Sequence, residues 1–253
     1  MKKHLPNALT CLNLLCGCVA LSLILSHSAE QYAVEDSSFS FASVAANWQP
    51  LVEASYLIGL AAVADFLDGL VARALHVSSP IGKDLDSLAD MVSFGVVPGA
   101  ILFKLLQHML PVHGLPAGLA YLAFTLSIFS ALRLAKFNND ARQSDSFIGL
   151  PTPACTLVVA SLPLILTHDS FGLAWLILNP WVLLGLTVLL SGLLVAEIPL
   201  FALKFKNFTW QDNSLRFVFL LLAVGLLLGL QSAAVPLIVL LYVLLSVLRP
   251  AVN

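Results

Sequence analysis

The chain has 253 residues, of which 59% are apolar and only 10% charged, with a mean hydropathy of +0.96; soluble domains carry about 25% charged residues, so a soluble globular protein is excluded. Its 12 basic and 14 acidic side chains leave a net charge of −2 and no basic face to follow a phosphate backbone, so nucleic acid is not a partner. Cys11, Cys16, Cys18 and Cys155 all lie in apolar stretches without zinc-type Cys/His spacing, which makes them small buried hydrophobes rather than disulfide or metal partners.

A hydrocarbon core about 30 Å thick takes roughly 20 residues of helix. The apolar runs predict an all-α integral membrane protein with eight spans, at 7–26, 51–76, 88–111, 115–137, 151–168, 174–196, 215–231 and 233–249. The first run follows Lys2 and Lys3 as a signal peptide would. Its best cleavage pattern, Ser26-x-Ser28, is poor and Asn7, Thr10 and Asn13 interrupt it, so it reads as a retained helix. Those three residues recur at helical spacing and form one polar stripe, facing either a ligand or neighbouring helices. The 28–50 segment is the longest polar loop, and Phe39, Phe41 and Trp48 give it an interfacial, amphipathic character. Gly149-Leu-Pro151-Thr152-Pro153 reads as a rigid turn opening the fifth helix. Only Gln231-Ser232 separates the last two runs, which form either a tight hairpin or one interrupted span. His4, His27, His76, His108, His113 and His168 fall near span ends as interfacial side chains, and Glu53 and Glu197 lack partners at motif spacing.

Alternation of eight helices puts Lys2, Lys3, Arg73, Lys83, Arg133, Lys136, Arg142, Lys204, Lys206, Arg216 and Arg249 on one side, which is then cytoplasmic. Lys104 alone breaks the pattern and either snorkels or lines an interface. The opposite side carries Glu30, Glu35, Asp36 and Asp169.

Acids inside spans are costly and mark function. Asp65 and Asp68 are i, i+3 and share one helix face, which Gly69 and Ala72 extend with almost no side chain, so that a ligand or a second backbone can come close. Asp86 and Asp90 are i, i+4 on the next helix, and the short basic loop between makes the two helices antiparallel neighbours. Four carboxylates at a low-dielectric boundary need compensating charge, which two divalent cations supply. Oxygen ligands without nearby His or Cys favour Mg²⁺ or Mn²⁺ over Zn²⁺, and paired metals suit phosphoryl displacement.

These residues carry a resemblance. The pattern Asp-x2-Asp-Gly-x2-Ala-Arg-x8-Gly-x3-Asp-x3-Asp is met at Asp65, Asp68, Gly69, Ala72, Arg73, Gly82, Asp86 and Asp90, and it resembles the signature of the CDP-alcohol phosphatidyltransferases. The resemblance implies a single membrane-embedded catalytic domain over 1–253. A six-helix core would occupy 5–200, with about two further helices over 201–253, usually in a homodimer. It also implies a CDP-linked lipid held with its phosphates on two metals while an alcohol displaces CMP. Asp65, Asp68 and Asp86 would then be metal ligands, and Asp90 would sit near a metal as general base. Gly69, Ala72, Arg73 and Gly82 would hold the CDP-lipid, with Asn7 and Thr10 beside it.

Further stretches are similar to the bacterial phosphatidylserine synthases of this family. They are Leu5-Pro-Asn7-Ala-Leu-Thr10 with Asn13 and Gly17, Ser87-Leu-Ala-Asp90-Met-Val-Ser93-Phe-Gly95 to Pro98, Arg133-Leu-Ala-Lys136-Phe-Asn138, and Gly149 to Pro153. Lys136 stands where Arg is more usual, which keeps the charge but loses bidentate geometry. Met91 stands where phosphatidylglycerophosphate synthases carry a Lys suited to a phosphorylated acceptor. Arg133 and Lys136, one turn apart, then bind either the carboxylate of serine or a phosphate, or simply mark topology. The expectation is a bacterial inner-membrane enzyme, active on the cytoplasmic side, that transfers the phosphatidyl group of CDP-diacylglycerol to the hydroxyl of L-serine. The alternatives are glycerol 3-phosphate, inositol or choline as acceptor, and, from another class, a cation transporter. Neither inverted repeats nor helices broken at the midplane support that last reading.

Overall fold

The computed structural model describes residues 4–26, 48–77, 79–140, 147–169, 171–201 and 209–248. Helix α1 (Leu5–Ser26) is followed by α2 (Gln49–Ala74) and α3 (Pro80–Asp90), which continues through a π-helical segment (Met91–Val96) into α4 (Val97–Val112). A 3₁₀ segment (Ala117–Phe124) leads into α5 (Thr125–Asn139), followed by α6 (Thr152–His168), the short α7 (Ala174–Ile177), α8 (Pro180–Val195), α9 (Trp210–Leu230) and α10 (Ala234–Leu248). Residues β1 (Phe147–Ile148) and β2 (Pro199–Leu200) pair antiparallel, Phe147 with Leu200 and Ile148 with Pro199.

Five helical stretches among the described residues are long and apolar enough to cross a membrane: Leu5–Ser26, Gln49–Ala74, Pro80–Val112, Ala117–Asn139 and Asn213–Leu248. Thr152–Thr167 and Pro180–Val195 are shorter apolar helices. Leu15, Val63, Phe66, Leu221 and Leu228 face outward, an apolar exterior that suits lipid because each helix satisfies its own backbone. The chain is thus an all-α, multi-pass membrane protein, as its composition requires.

The Pro80–Val112 stretch is the central stave, the most buried of these five, whereas Asn213–Leu248 is the least. Ile101, Leu102, Leu105, Leu106 and Leu110 are fully buried, where α4 meets α1, α6, α8 and the 3₁₀ segment. Helix α1 packs along α2, α2 against α6, and α5 on α8. On α2 the buried stripe runs Leu51, Ala54, Ile58, Ala61, Ala64, Asp68. Its alanines let α1 approach closely, and the same face delivers Asp68 into the interior.

Asp90 stands where α3 passes into the π-helical segment, in which Val97 N–H reaches the carbonyl of Val92, five residues back. Pro98 has no N–H to offer the preceding turn, and hydroxyls from other helices serve the freed carbonyls. Thr156 Oγ1 donates to Phe94 O and Ser127 Oγ to Gly95 O, each at 2.8 Å. Ser93 Oγ donates to Asn13 O at 3.0 Å. A π-turn is thus held by three neighbours, as irregular backbone at membrane depth demands.

Several expectations change. The third helix begins at Pro80, well before residue 88, because Ser79 caps it by accepting from Gly82 N at 3.0 Å and Pro80 fits its first turn. The run at 174–196 is divided, since the Asn179 side chain accepts from Trp181 N at 2.9 Å and Pro180 starts a new helix there. The last two runs form a hairpin: Phe219 and Tyr242 meet with ring centroids 5.7 Å apart. Trp48 is buried, edge-on to His108 with ring centroids 5.1 Å apart. Cys11 and Cys18 lie on the exposed face of α1, while Cys16 and Cys155 are buried. Lys2, Lys3, Arg142, Lys204, Lys206 and Arg249 lie outside the described residues, as do Glu30, Glu35, Asp36, Phe39 and Phe41.

Candidate functional site

The antiparallel approach of α2 and α3 brings Asp65, Asp68 and Asp86 together, one carboxylate oxygen from each lying within 4.8 Å of the others. Asp68 is buried and the other two are half-buried. Asp90 stands beside this trio, within hydrogen-bonding reach of Asp65. Three oxygen donors so close fit a hard divalent cation, which binds carboxylate oxygens at about 2.0–2.1 Å for Mg²⁺ and accepts no soft ligand preferentially. Among the described residues, no His or Cys joins the cluster.

The polar stripe of α1 faces this cluster. The Thr10 hydroxyl lies 2.6 Å from Asp68 Oδ2 and 3.1 Å from Pro6 O, so its one proton serves the carboxylate or its own helix. Asn13 Nδ2 donates to Asp90 Oδ1 at 3.2 Å. Asn13 is fully buried, and its Oδ1 has no hydrogen-bond partner among the described residues. Asn7 Oδ1 lies over Gly82, where a Cβ would come within 3.1 Å of it. At Thr10 and Asn13 the stripe thus bonds to acids of two neighbouring helices. The position of Asn13, three residues after Thr10 on the same helix face, is the sequence signal for its carboxylate partner.

At the end of α2 the Arg73 guanidinium folds back over Gly69, whose missing side chain leaves it room: a Cβ there would meet Arg73 Nη1 at 3.4 Å. Arg73 also acts electrostatically on Asp68. Ala72 is half-buried one turn beyond Gly69.

Arg133 and Lys136 form a second group on α5. Arg133 is 6% exposed; its Nε donates to Leu150 O at 3.1 Å and its guanidinium lies 5.0 Å from the Phe137 ring centroid. It lies within electrostatic range of Asp90 and Tyr242. The end of α5 is tied to α3 through Lys83 Nζ to Asn138 O at 3.2 Å and Asn138 Nδ2 to Ser87 Oγ at 2.7 Å. Arg133 and Lys136 line a small, partly open pocket together with Asp140, Ile148, Leu194, Val195, Ala196 and Glu197. Sequence spacing had offered Glu197 no partner; only the fold brings it opposite α5.

The chain matches the family model described as CDP-alcohol phosphatidyltransferase over residues 3–193. It is similar to proteins named CDP-diacylglycerol–serine O-phosphatidyltransferase in several organisms. The Bacillus subtilis (strain 168) protein is 30% identical over 181 residues, covering 70% of this chain and 87% of the relative. The Helicobacter pylori (strain J99) protein is 33% identical over 202 residues, covering 78% and 79%. The Mycobacterium leprae (strain TN) protein is 32% identical over 203 residues, covering 78% of this chain and 57% of that longer protein. With the aspartates of its signature gathered at one end of a helical membrane bundle, this chain belongs to the CDP-alcohol phosphatidyltransferase family.

Proposed function

We propose that this chain transfers the phosphatidyl group of CDP-diacylglycerol to the hydroxyl of L-serine, forming phosphatidylserine and releasing CMP. The observation that carries the phosphotransfer is the meeting of Asp65, Asp68 and Asp86 within 4.8 Å beside Asp90. The names of the relatives support serine as the acceptor.

Asp65, Asp68 and Asp86, with Asp90 beside them, would hold two divalent cations, Mg²⁺ or Mn²⁺. When bound, such ions supply charge neutralisation and Lewis-acid polarisation of the pyrophosphate. Gly69 and Ala72 leave space for the nucleotide, Arg73 supplies positive charge to its phosphates, and Gly82 with Asn7 and Thr10 borders the same region. Asp90 accepts the proton of the serine hydroxyl, whose oxygen forms a bond to the phosphorus bearing diacylglycerol as the bond from that phosphorus to CMP breaks. Asn13 orients Asp90 through their hydrogen bond. Arg133 and Lys136 bind the serine carboxylate. The catalytic unit is a single domain with its core over 5–200 and additional helices over 201–253. It lies in a bacterial inner membrane with the site facing the cytoplasm, and it assembles as a homodimer.

The test is to supply purified protein with CDP-diacylglycerol, Mn²⁺ or Mg²⁺, and L-serine, glycerol 3-phosphate, inositol or choline in turn, and to measure CMP. Release that depends on L-serine is expected. Release with glycerol 3-phosphate or inositol and none with serine would overturn the acceptor while leaving the family chemistry intact. Chemical cross-linking of the same preparation should trap a dimer; monomers alone would refute the assembly.

A further inference from the structure

We infer that Glu197 selects the acceptor by receiving its ammonium group, so that the cavity between α5 and the end of α8 recognises an amino acid as a zwitterion. This rests on the serine reading above and goes beyond it, because Glu197 lies past residue 193, where the family match ends.

Among the described residues, the charged side chains that line the cavity are Arg133, Lys136, Asp140 and Glu197. A lining that offers both signs of charge suits a ligand that itself carries one positive and one negative group. It opposes a phosphorylated alcohol, whose dianion would face Glu197. Arg133 is buried with Nε committed to Leu150 O, which points its binding capacity for an anion to the terminal amino groups. Glu197 is exposed, and the cavity puts it across from α5.

The wall carrying Glu197 is fixed on both sides. Leu150 N–H donates to Leu193 O at 2.8 Å and Gly149 N–H donates to Ile198 O at 3.0 Å, bracketing residues 194–197. Leu150 thus bonds the wall through its N–H and Arg133 through its carbonyl, so the cation and the wall are referenced to one residue. Gly149 has φ +77°, and a Cβ there would meet Leu194 O at 2.7 Å and Ala196 O at 2.9 Å. Opposite charges held this way form a preorganised pair of anchors for an α-amino acid. Arg133 also acts electrostatically on Asp90, which links this cavity to the proposed base.

The experiment compares L-serine with 3-hydroxypropanoate, which keeps the hydroxyl and the carboxylate but lacks the ammonium, in full-length protein with CDP-diacylglycerol and Mn²⁺. Wild type should prefer serine. Glu197→Gln should raise the KM for serine about 10-fold, leave the KM for CDP-diacylglycerol unchanged and erase the preference over 3-hydroxypropanoate; Glu197→Asp should restore part of it. The ratio of the two acceptors is read within one preparation, so partial misfolding does not alter it. If wild type uses serine and Glu197→Gln keeps the preference, or if Asp140→Asn alone removes it, the assignment to Glu197 is overturned and the serine reading stands. If wild type releases no CMP with serine, the serine reading fails and this inference with it.

Discussion

The buried acids divide into a group that can share a cation and one that is held by an amide. Asp68→Asn removes an oxygen donor of the trio, and its activity should fall at least 10-fold, the scale of even indirect changes around a metal. EDTA should abolish turnover and added Mn²⁺ or Mg²⁺ restore it; full activity of Asp68→Asn in EDTA would refute a divalent site. For Asp90→Asn, a loss of about 10²–10⁴-fold in kcat with the KM for CDP-diacylglycerol little changed is expected of a general base. Asn13→Ala should follow it in weaker form, about 10-fold in kcat, because it removes only the Asn13–Asp90 bond of 3.2 Å. An equal rise in lipid KM in both variants would instead place Asp90 among the lipid-binding groups. The spacing of Asp65, Asp68, Asp86 and Asp90 was readable because i, i+3 and i, i+4 relations survive in any helix. The place of Glu197 on the same pocket as Arg133 was not readable, because it depends on a turn after α8 and on Leu150, with no periodic relation to carry it.

Helices followed the apolar runs closely, since hydropathy reports which backbone must satisfy itself. What hydropathy does not report is where hydrogen bonding changes partner. Ser79-Pro80 and Asn179-Pro180 are cap-and-proline pairs that start helices regardless of the polarity around them. The π-helical segment has the same origin in Pro98, compensated by Ser127 and Thr156, which belong to other helices. Replacing both together (Ser127→Ala with Thr156→Val) should destabilise the protein by about 1–3 kcal/mol, given roughly 0.6–1.7 kcal/mol for one such bond between membrane helices. A lower unfolding temperature in detergent should be accompanied by reduced kcat, since Asp90 immediately precedes the segment. An unchanged unfolding temperature would mean that the freed carbonyls find other donors. Gly149→Ala tests the neighbouring turn: with φ +77° and carbonyl oxygens within 3 Å of the new Cβ, it should raise the acceptor KM more than that of the lipid.

At the scale of the whole molecule, the acids, Arg73, Lys83, Arg133 and Lys136 occupy one end of the bundle. The Lys83–Asn138 and Asn138–Ser87 contacts join the start of α3 to the end of α5 there. Trp48 and His108 meet near the opposite end, where α2 begins and α4 finishes. The proposed use of a cytoplasmic lipid-linked nucleotide calls for the first end to face inward, the orientation that the excess of Lys and Arg on that side predicts. His113, just past α4, and Asn139, at the end of α5, are both exposed and lie at opposite ends of a helical hairpin. Single cysteines at these two positions, in protein lacking Cys11, Cys16, Cys18 and Cys155, therefore give a direct reading of orientation. In intact cells stripped of their outer membrane, a membrane-impermeant maleimide should label position 113 and spare 139. In inverted vesicles the pattern should reverse. Labelling of both from one face would break the antiparallel relation of α4 and α5 across the bilayer. The reversed pattern would put the aspartates outside, away from the cytoplasmic nucleotide pool, and would remove the basis for a biosynthetic transferase.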